Sequence, residues 1–472
     1  MEEHKGYLRG FIPYAVSAFL IGIVGGFAAV LGPAFVQDIG IDYSNTTWTA
    51  LAQTVSTAAW APILGKLADA IGRRRTLLLG LAVFTLGHLL TAFADSLSFM
   101  LLSRFLVGLG TAAIAPVIMA YILTEFPPNA TARGFSLYML ISSSAVVFGP
   151  TVGSIMIQRS GWRSMSWLCV VLCLLCSLVC LLTCKKDRTS GKKSRKFDSV
   201  GAVFVVLFFS LAVCIPSFAQ NFGVTSVPFW VVLIAGILSL LGLVWQERRT
   251  TDPILPGSFL RQRTFIFSIA ALFLTQGLMQ ANMTNSIVFV NYTHPGSSII
   301  SGLSISVMYL GMSLGAVILG PLADRFSPKA LLACSLTLTG LGCGGFLLFQ
   351  AHTAPWLFMI PLGILGFGLG GNGTIFMKLV LSGLPPEQAG SGSGTFGLFR
   401  DVAAPFGVAV FVPLFTNRIT AQIALGDPPG EAAARALHLL AIVEVLCVAG
   451  SLIAVYLIPR PKKKRSYQNE TN

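Results

Sequence analysis

Charge is what this chain has least of. Only 11% of its 472 residues are Asp, Glu, Lys or Arg, against roughly 25% in a soluble domain. So few charges cannot clothe a water-facing surface, and with 54% hydrophobic residues the solvent has to be lipid. Ten-residue segments of alternating polarity are missing as well, which argues against a transmembrane barrel. That leaves the α-helix, which satisfies its own backbone in hydrocarbon. Histidine is sparse too. His4, His88, His294, His352 and His438 are scattered, and the chain has no metal-ligand helix motif, no glycine-flanked nucleophilic serine and no nucleotide loop. An enzyme, a metal site and a resident cofactor are therefore not expected. The nine cysteines form no disulfide framework. Five of them, Cys169, Cys173, Cys176, Cys180 and Cys184, recur at helical spacing and share one face. With no histidine or carboxylate cluster beside them, a small-residue packing face fits them better than a metal site. No small-residue cleavage site follows MEEHKGYLRG, so no cleavable signal is expected.

What is present is a series of long apolar runs, each near the ~20 residues that span a bilayer. Fourteen candidate spans are predicted, at 11–36, 46–65, 76–94, 97–124, 134–158, 162–183, 199–219, 227–246, 265–290, 300–321, 329–350, 354–384, 389–417 and 434–458. An even number places both termini on one side. Acids are fewer than bases, 18 against 32, for a net charge of +14. In a soluble protein that excess would suggest nucleic acid; here it follows the rule that Lys and Arg gather on the cytoplasmic side of a membrane. Alternating the loops assigns 25 of the 32 basic residues to one face, four (Arg159, Arg163, Arg418, Arg435) to the other, and three (Arg104, Lys378, Arg400) to span interiors. Both termini are thus expected in the cytoplasm of a multi-pass protein of the cell membrane.

One loop interrupts the apolar runs twice. GKLADAIGRRR, at 65–75, joins the second and third spans, and GPLADRFSPK, from 320, joins the tenth and eleventh. If each half holds six helices, these are the same loop in each. The expected plan is an N-terminal half at 1–184, a basic linker at 185–198, two inserted helices at 199–246, a linker at 247–264, a C-terminal half at 265–458 and a basic tail at 459–472. Repeated halves around a mid-membrane site are a hallmark of secondary transporters. The inserted pair either braces the bundle or faces lipid.

Over its whole length the chain resembles the major facilitator superfamily. Gly65, Leu67, Asp69, Gly72, Arg73 and Arg74 match that family's loop signature, with Ala70 where a basic residue is usual, and Asp324 is the acid of the second copy. The resemblance implies a monomeric all-α bundle whose loop acts as a conformational switch. Glycine allows a tight turn, and an acid at the membrane edge can pair with arginine or a helix N-terminus in one conformation only. The plainer reading makes the arginines topology anchors. In the fourth span, LSRFLVGLGTAAIAP resembles the intramembrane arginine motif at Arg104, Gly108, Gly110 and Ala112, with Val107 where glutamine is usual. A buried arginine is costly and normally faces a polar interior, unless it snorkels. In the fifth span, SAVVFGPTVGS resembles the export-branch motif at Gly149, Pro150 and Gly153. Together these features resemble the fourteen-span drug:proton antiporters, in which a proton gradient drives efflux of small organic compounds.

One departure matters. That branch commonly carries an acid in the first helix, where this chain has Val24. The remaining acids at membrane depth are Asp401, beside Arg400, and Glu444, midway along the last span. With Arg104 they are the proton-coupling candidates, since a carboxylate in a low-dielectric cavity can load and release protons near neutral pH. Asp401 could instead form a fixed ion pair with Arg400 or Arg104. Cavity candidates are Gln53, Thr57 and Trp60 on the second span, Gln276 and Gln280 on the ninth, and Phe396 and Arg400 on the thirteenth. They sketch a weakly polar pocket suited to lipophilic or mixed organic compounds. The alternative is a metabolite or organic-acid carrier, possibly a uniporter, in keeping with the missing first-span acid and the intramembrane cations.

Overall fold

In the computed structural model the described residues are 3–40, 43–127, 131–184, 199–249, 262–381 and 389–458. Side chains of some helical residues, including Asp69, Asp324 and Asp401, lie outside the described set. The basic segments 185–198 and 459–472 lie outside it altogether, as does most of the 247–264 linker. Among the described residues the chain forms fourteen long α-helices, one 3₁₀ turn (Phe346–Leu348) and no strand. In chain order the helices are α1 (Glu3–Ile39), α2 (Tyr43–Ile71), α3 (Arg73–Ala92), α4 (Leu97–Glu125), α5 (Thr131–Ser160), α6 (Arg163–Thr183) and α7 (Ser199–Phe222). There follow α8 (Val227–Arg249), α9 (Arg263–Thr293), α10 (Ser298–Arg325), α11 (Pro328–Gly345), α12 (Pro355–Leu381), α13 (Ala389–Ala424) and α14 (Pro429–Leu457).

Twelve of the fourteen are long and apolar enough to cross a membrane. The sequence expectation was fourteen, and the two that fall short do so for different reasons. α2 is long enough but polar, with Thr49, Gln53, Thr54, Ser56 and Thr57 on its first turns. It packs against α4 and α7, so part of its polarity is turned inward rather than toward lipid. The apolar part of α7 is the shorter stretch Val203–Ala219. Each predicted span overlaps one long helix; 329–350 runs past α11 through the 3₁₀ turn, and 354–384 runs past Leu381 outside the described residues.

Helices approach closely because small residues let them, which is how bundles pack without a hydrophobic drive in lipid. A Cβ added to Gly149 on α5 would lie 2.6 Å from the Gly26 Cα on α1. The same crossing recurs between α9 and α13, where a Cβ on Gly277 would lie 2.9 Å from the Gly407 Cα. Gly87 on α3 abuts the Val107 backbone nitrogen on α4, and Gly342 on α11 abuts that of Leu365 on α12, at 2.7 and 2.6 Å from a built Cβ. The helix ends repeat as well. Arg74 at the start of α3 donates to the Leu181 carbonyl at the end of α6, 2.8 Å away. Lys329 at the start of α11 donates to the Tyr456 and Ile458 carbonyls at the end of α14, at 2.6 and 2.7 Å. A cation at a helix C-terminus meets orphan carbonyls and the negative end of the dipole.

Buried side chains divide accordingly. One apolar cluster runs from Phe265 to Ile458. A second runs from Phe11 to Cys184 and is joined by Ile287 and Ile305 of the C-terminal part. A third, smaller cluster centres on α7, where Val205, Phe209 and Val213 pack with Leu51 and Leu243. α7 therefore braces the bundle. It meets α2 through Trp48 and Phe218, with ring centroids 5.1 Å apart, and α13 through Phe209 and Phe399, 5.9 Å apart. α8 leans on α7 and leaves Val231, Ile234, Leu238 and Leu241 exposed. The five-cysteine face of α6 is buried, with Cys176 3.3 Å from the Ser17 hydroxyl of α1. Among the described residues no cluster could hold a metal ion.

Candidate functional site

The loop between α2 and α3 is a single residue. Gly72 links Ile71 to Arg73 with φ 101° and ψ 153°, a region essentially reserved for glycine. Its carbonyl accepts from the Thr76 hydroxyl at 2.9 Å. Arg73 reaches Glu125 at the end of α4, 3.7 Å away, and Arg74 caps α6. The two arginines thus tie α3 to α4 and α6. The side chains of Asp69 and Asp324, and a Cβ position at Gly65, lie outside the described residues. In the second copy Lys378 donates to the Ala323 carbonyl near the end of α10.

Arg104 does not snorkel. It is 4% exposed, and its guanidinium lies over the Phe35 ring, 5.4 Å from the centroid. His88 on α3 and Cys169 on α6 lie within its electrostatic reach. His88 is buried, edge-on to Phe84 at 4.8 Å, and neither ring nitrogen has a hydrogen-bond partner. Nothing in its local sequence distinguished this histidine from the other four.

Glu444 is fully buried between α14, α9 and α11. Its Oε1 accepts from the Asn282 amide at 2.7 Å, the Cys343 thiol lies within hydrogen-bond reach, and Oε2 has no partner. Asn282 on α9 thus faces α14. Asp401 falls outside the described side chains.

The export motif sits at a joint. Gly149 and Pro150 press on Gly26 of α1, and Gly153 would meet Met165, Val30 and Phe27 if it carried a Cβ. The other side of α5 meets α10. A Cβ on Gly302 would lie 2.7 Å from the Pro150 carbonyl, and the Thr151 and Ser306 hydroxyls are 2.7 Å apart. These contacts between the two parts of the chain lie toward the C-terminal end of α5 and the N-terminal end of α10, away from the basic loops.

The cavity candidates are less united. The Thr57 hydroxyl is engaged with the Gln53 and Gly108 carbonyls at 2.9 and 3.1 Å, which holds α2 to α4. Gln53 and Trp60 are half-buried on α2, Gln276 and Gln280 half-buried on α9, and the Gln276 amide lies 3.7 Å from the Met279 sulfur. Arg400 is exposed, within electrostatic reach of Tyr138 on α5. The Phe396 side chain lies outside the described residues. An apolar groove of about 460 Å³ between α10, α11 and α12, lined by Val307, Leu338 and Phe367 among others, includes none of these candidates.

The helical bundle, its repeated crossings and the glycine-turned loop are those of a multi-pass transport protein. The sequence profile of the Major Facilitator Superfamily matches residues 14–408, and the chain belongs to that superfamily. It is 24% identical over 421 residues to the multidrug resistance protein Stp of Mycobacterium tuberculosis, covering 89% of this chain and 78% of that one. It is 24% identical over 417 residues to the tetracenomycin C resistance and export protein of Streptomyces glaucescens, covering 86% and 75%. In fold it is similar to an auto-inhibited peptide transporter of the POT family, with a TM-score of 0.69 at 14% identity over 97% of this chain and 98% of that chain. A transport protein rather than an enzyme follows.

Proposed function

We propose that the chain is a fourteen-span secondary transporter of the cell membrane that exports lipophilic or mixed organic compounds in exchange for protons. The twelve apolar helices, polar α2 and α7 make up the spans, and both termini face the cytoplasm. Two six-helix halves, with α7 and α8 between them, rock about a mid-membrane cavity. It works as a monomer in the bilayer without cofactor or metal, driven by the proton gradient. Arg104, Asp401 and Glu444 are the coupling candidates.

The observation that carries this reading is the joint at α5 and α10. The glycine–proline motif of α5 presses on α1 of its own half and, through Pro150 and Thr151, on Gly302 and Ser306 of the other. Contact at the end opposite the basic loops lets the halves part toward the cytoplasm, close over cargo, and reopen outward. Two relatives named for multidrug resistance and for resistance and export support that direction. Ethidium efflux from energised membrane vesicles, with and without a proton gradient, tests it. Gradient-driven accumulation is expected; transport indifferent to the gradient would remove the antiport.

A second reading, a metabolite or organic-acid carrier working as a uniporter, is favoured by Val24 in place of the first-helix acid and by the buried cation at Arg104. Gradient-independent equilibration of an organic anion would select it.

A further inference from the structure

Glu444 on α14 packs against α9 and α11. It has no exposed surface. The Asn282 amide donates to its Oε1 at 2.7 Å and to the Leu278 carbonyl at 3.0 Å. One side chain thus ties the carboxyl to the backbone of α9. Oε2 has no hydrogen-bond partner, and neither does either amide atom of Asn285 one turn along α9. The titratable groups facing Glu444 are Cys343 from α11 and Cys447 one turn along α14. α9 offers amides only, and α13 brings Phe411 and Phe415 into the same core. Among the described residues no cation acts on the carboxyl. A lone charge is expensive there, and a proton removes it.

α9 has a second face. At about 100° per residue, Gln276 and Gln280 lie roughly 120° and 160° around the helix from Asn282. Ile287, on the same side as the glutamines, packs into the N-terminal cluster. One helix therefore separates the carboxyl from the glutamines.

We propose that the exchanged proton binds at Glu444 inside the C-terminal half, that Asn282 positions the carboxyl, and that α9 carries the result to the cargo-facing glutamines on its other side. The inference rests on the proton-coupled reading above. The step is a simple one: a proton adds to the carboxylate from one side of the membrane and leaves to the other, and cargo moves in the opposite sense. Protonation weakens the charge-assisted bond from Asn282, and with it the hold of α14 on α9. Proton and cargo then compete through a helix position rather than for one binding site.

The test uses the full chain reconstituted into liposomes with ethidium as cargo. Two rates are read: uphill transport driven by a pH gradient, and exchange of labelled for unlabelled dye at equal concentration and pH. Glu444→Gln should keep exchange and lose gradient-driven accumulation by roughly 5- to 150-fold. Asn282→Leu should move the midpoint of the pH–rate profile by about one unit, and Asn282→Ser, which keeps a donor, should bring it back. A structural role for Asn282 would lower rates without moving that midpoint. Gradient-driven uptake surviving in Glu444→Gln, or an unmoved midpoint in Asn282→Leu, overturns the proposal while leaving proton-coupled export standing. Exchange lost in both well-folded variants overturns the separation of proton and cargo. A wild-type protein indifferent to the gradient overturns the underlying reading as well.

Discussion

Helices α1–α6 and α9–α14 make paired contacts and bury different ionisable groups at their centres. The correspondence can be counted off the paired contacts. Gly87 and Gly342 make equivalent approaches to Val107 and Leu365, so His88 corresponds to Cys343, and Arg104 to Leu362. Leu181 and Tyr456 accept equivalent capping cations; twelve residues before them stand Cys169 and Glu444. Gly26 and Gly277 cross equivalent helices; five residues beyond them stand Leu31 and Asn282. One layer of the N-terminal half is thus Leu31, His88, Arg104 and Cys169. The same layer of the C-terminal half is Asn282, Cys343, Leu362 and Glu444. The helix crossings and end caps are alike, while one layer holds Arg104 and His88 and the other Glu444 and Asn282. Scaffold and chemistry are separable: among the described residues of these two layers, the carboxyl is Glu444 and the guanidinium is Arg104.

The strongest way to break the comparison is at Arg104. The guanidinium is buried over Phe35 with no carboxylate beside it among the described residues. Arg104→Met should cut ethidium transport on the order of 10-fold or more, yet leave the protein as stable or about 1–4 kcal/mol more stable, because an uncompensated buried charge is removed. Thermal unfolding in detergent checks this. A drop in stability would mean that the arginine is a structural partner and that the two layers are not alternatives.

The crossings should respond alike in both halves. Gly149→Val on α5 and Gly407→Val on α13 each force a side chain into the backbone of the facing helix. Each should cost about 1–3 kcal/mol by overpacking, read as lowered melting temperature. A large effect in one half and none in the other would undo the equivalence on which the layer comparison rests.

The two loops should differ. Gly72 holds φ 101° in the first copy, so Gly72→Ala should cost about 1–3 kcal/mol. The second copy turns through Phe326 at φ −107° and Ser327 at φ −58°, which any residue adopts. Ser327→Ala should therefore be nearly silent in the same melting assay.

The smallest effect is expected at the C-terminal end of α1. The Trp162 N–H and the Arg163 guanidinium hold the Asp38 carboxyl below the usual carboxylate range. A depressed folded value gives stability that is complete above the unfolded value and lost as pH falls through the folded one. Melting temperatures across an acid series should fall slightly more for wild type than for Asp38→Asn, and parallel curves would dismiss the contribution. The turn between α13 and α14 has a comparable pair, Asp427 with Arg435 at 2.8 Å.

Helices were readable because lipid leaves the chain little choice: each predicted run overlaps one long helix, though α2 and α7 fall short of a full apolar span among the described residues. The repeated loop was readable as GKLADAIGRRR and GPLADRFSPK, though not the one-residue turn that makes Gly72 obligatory. The site was less legible. Helical spacing put Gln276, Gln280 and Asn282 on α9, but only packing turns Asn282 toward a glutamate 162 residues away. His88 carried no local signal, because its meaning depends on Arg104 arriving from another helix. Thr57 looked like a cavity hydroxyl, but its spacing could not reveal that the α4 backbone claims it.

The most direct test of the rocking, proton-read bundle is a distance measurement across its basic end. Spin labels placed through non-canonical residues at Arg75, on the first turn of α3, and at Phe326, in the turn between α10 and α11, would report the separation of the two helix sets in liposomes. The account predicts two distance populations whose ratio shifts on acidification in wild type and stays fixed in Glu444→Gln. A single population, or a ratio that follows pH equally in both proteins, would contradict it.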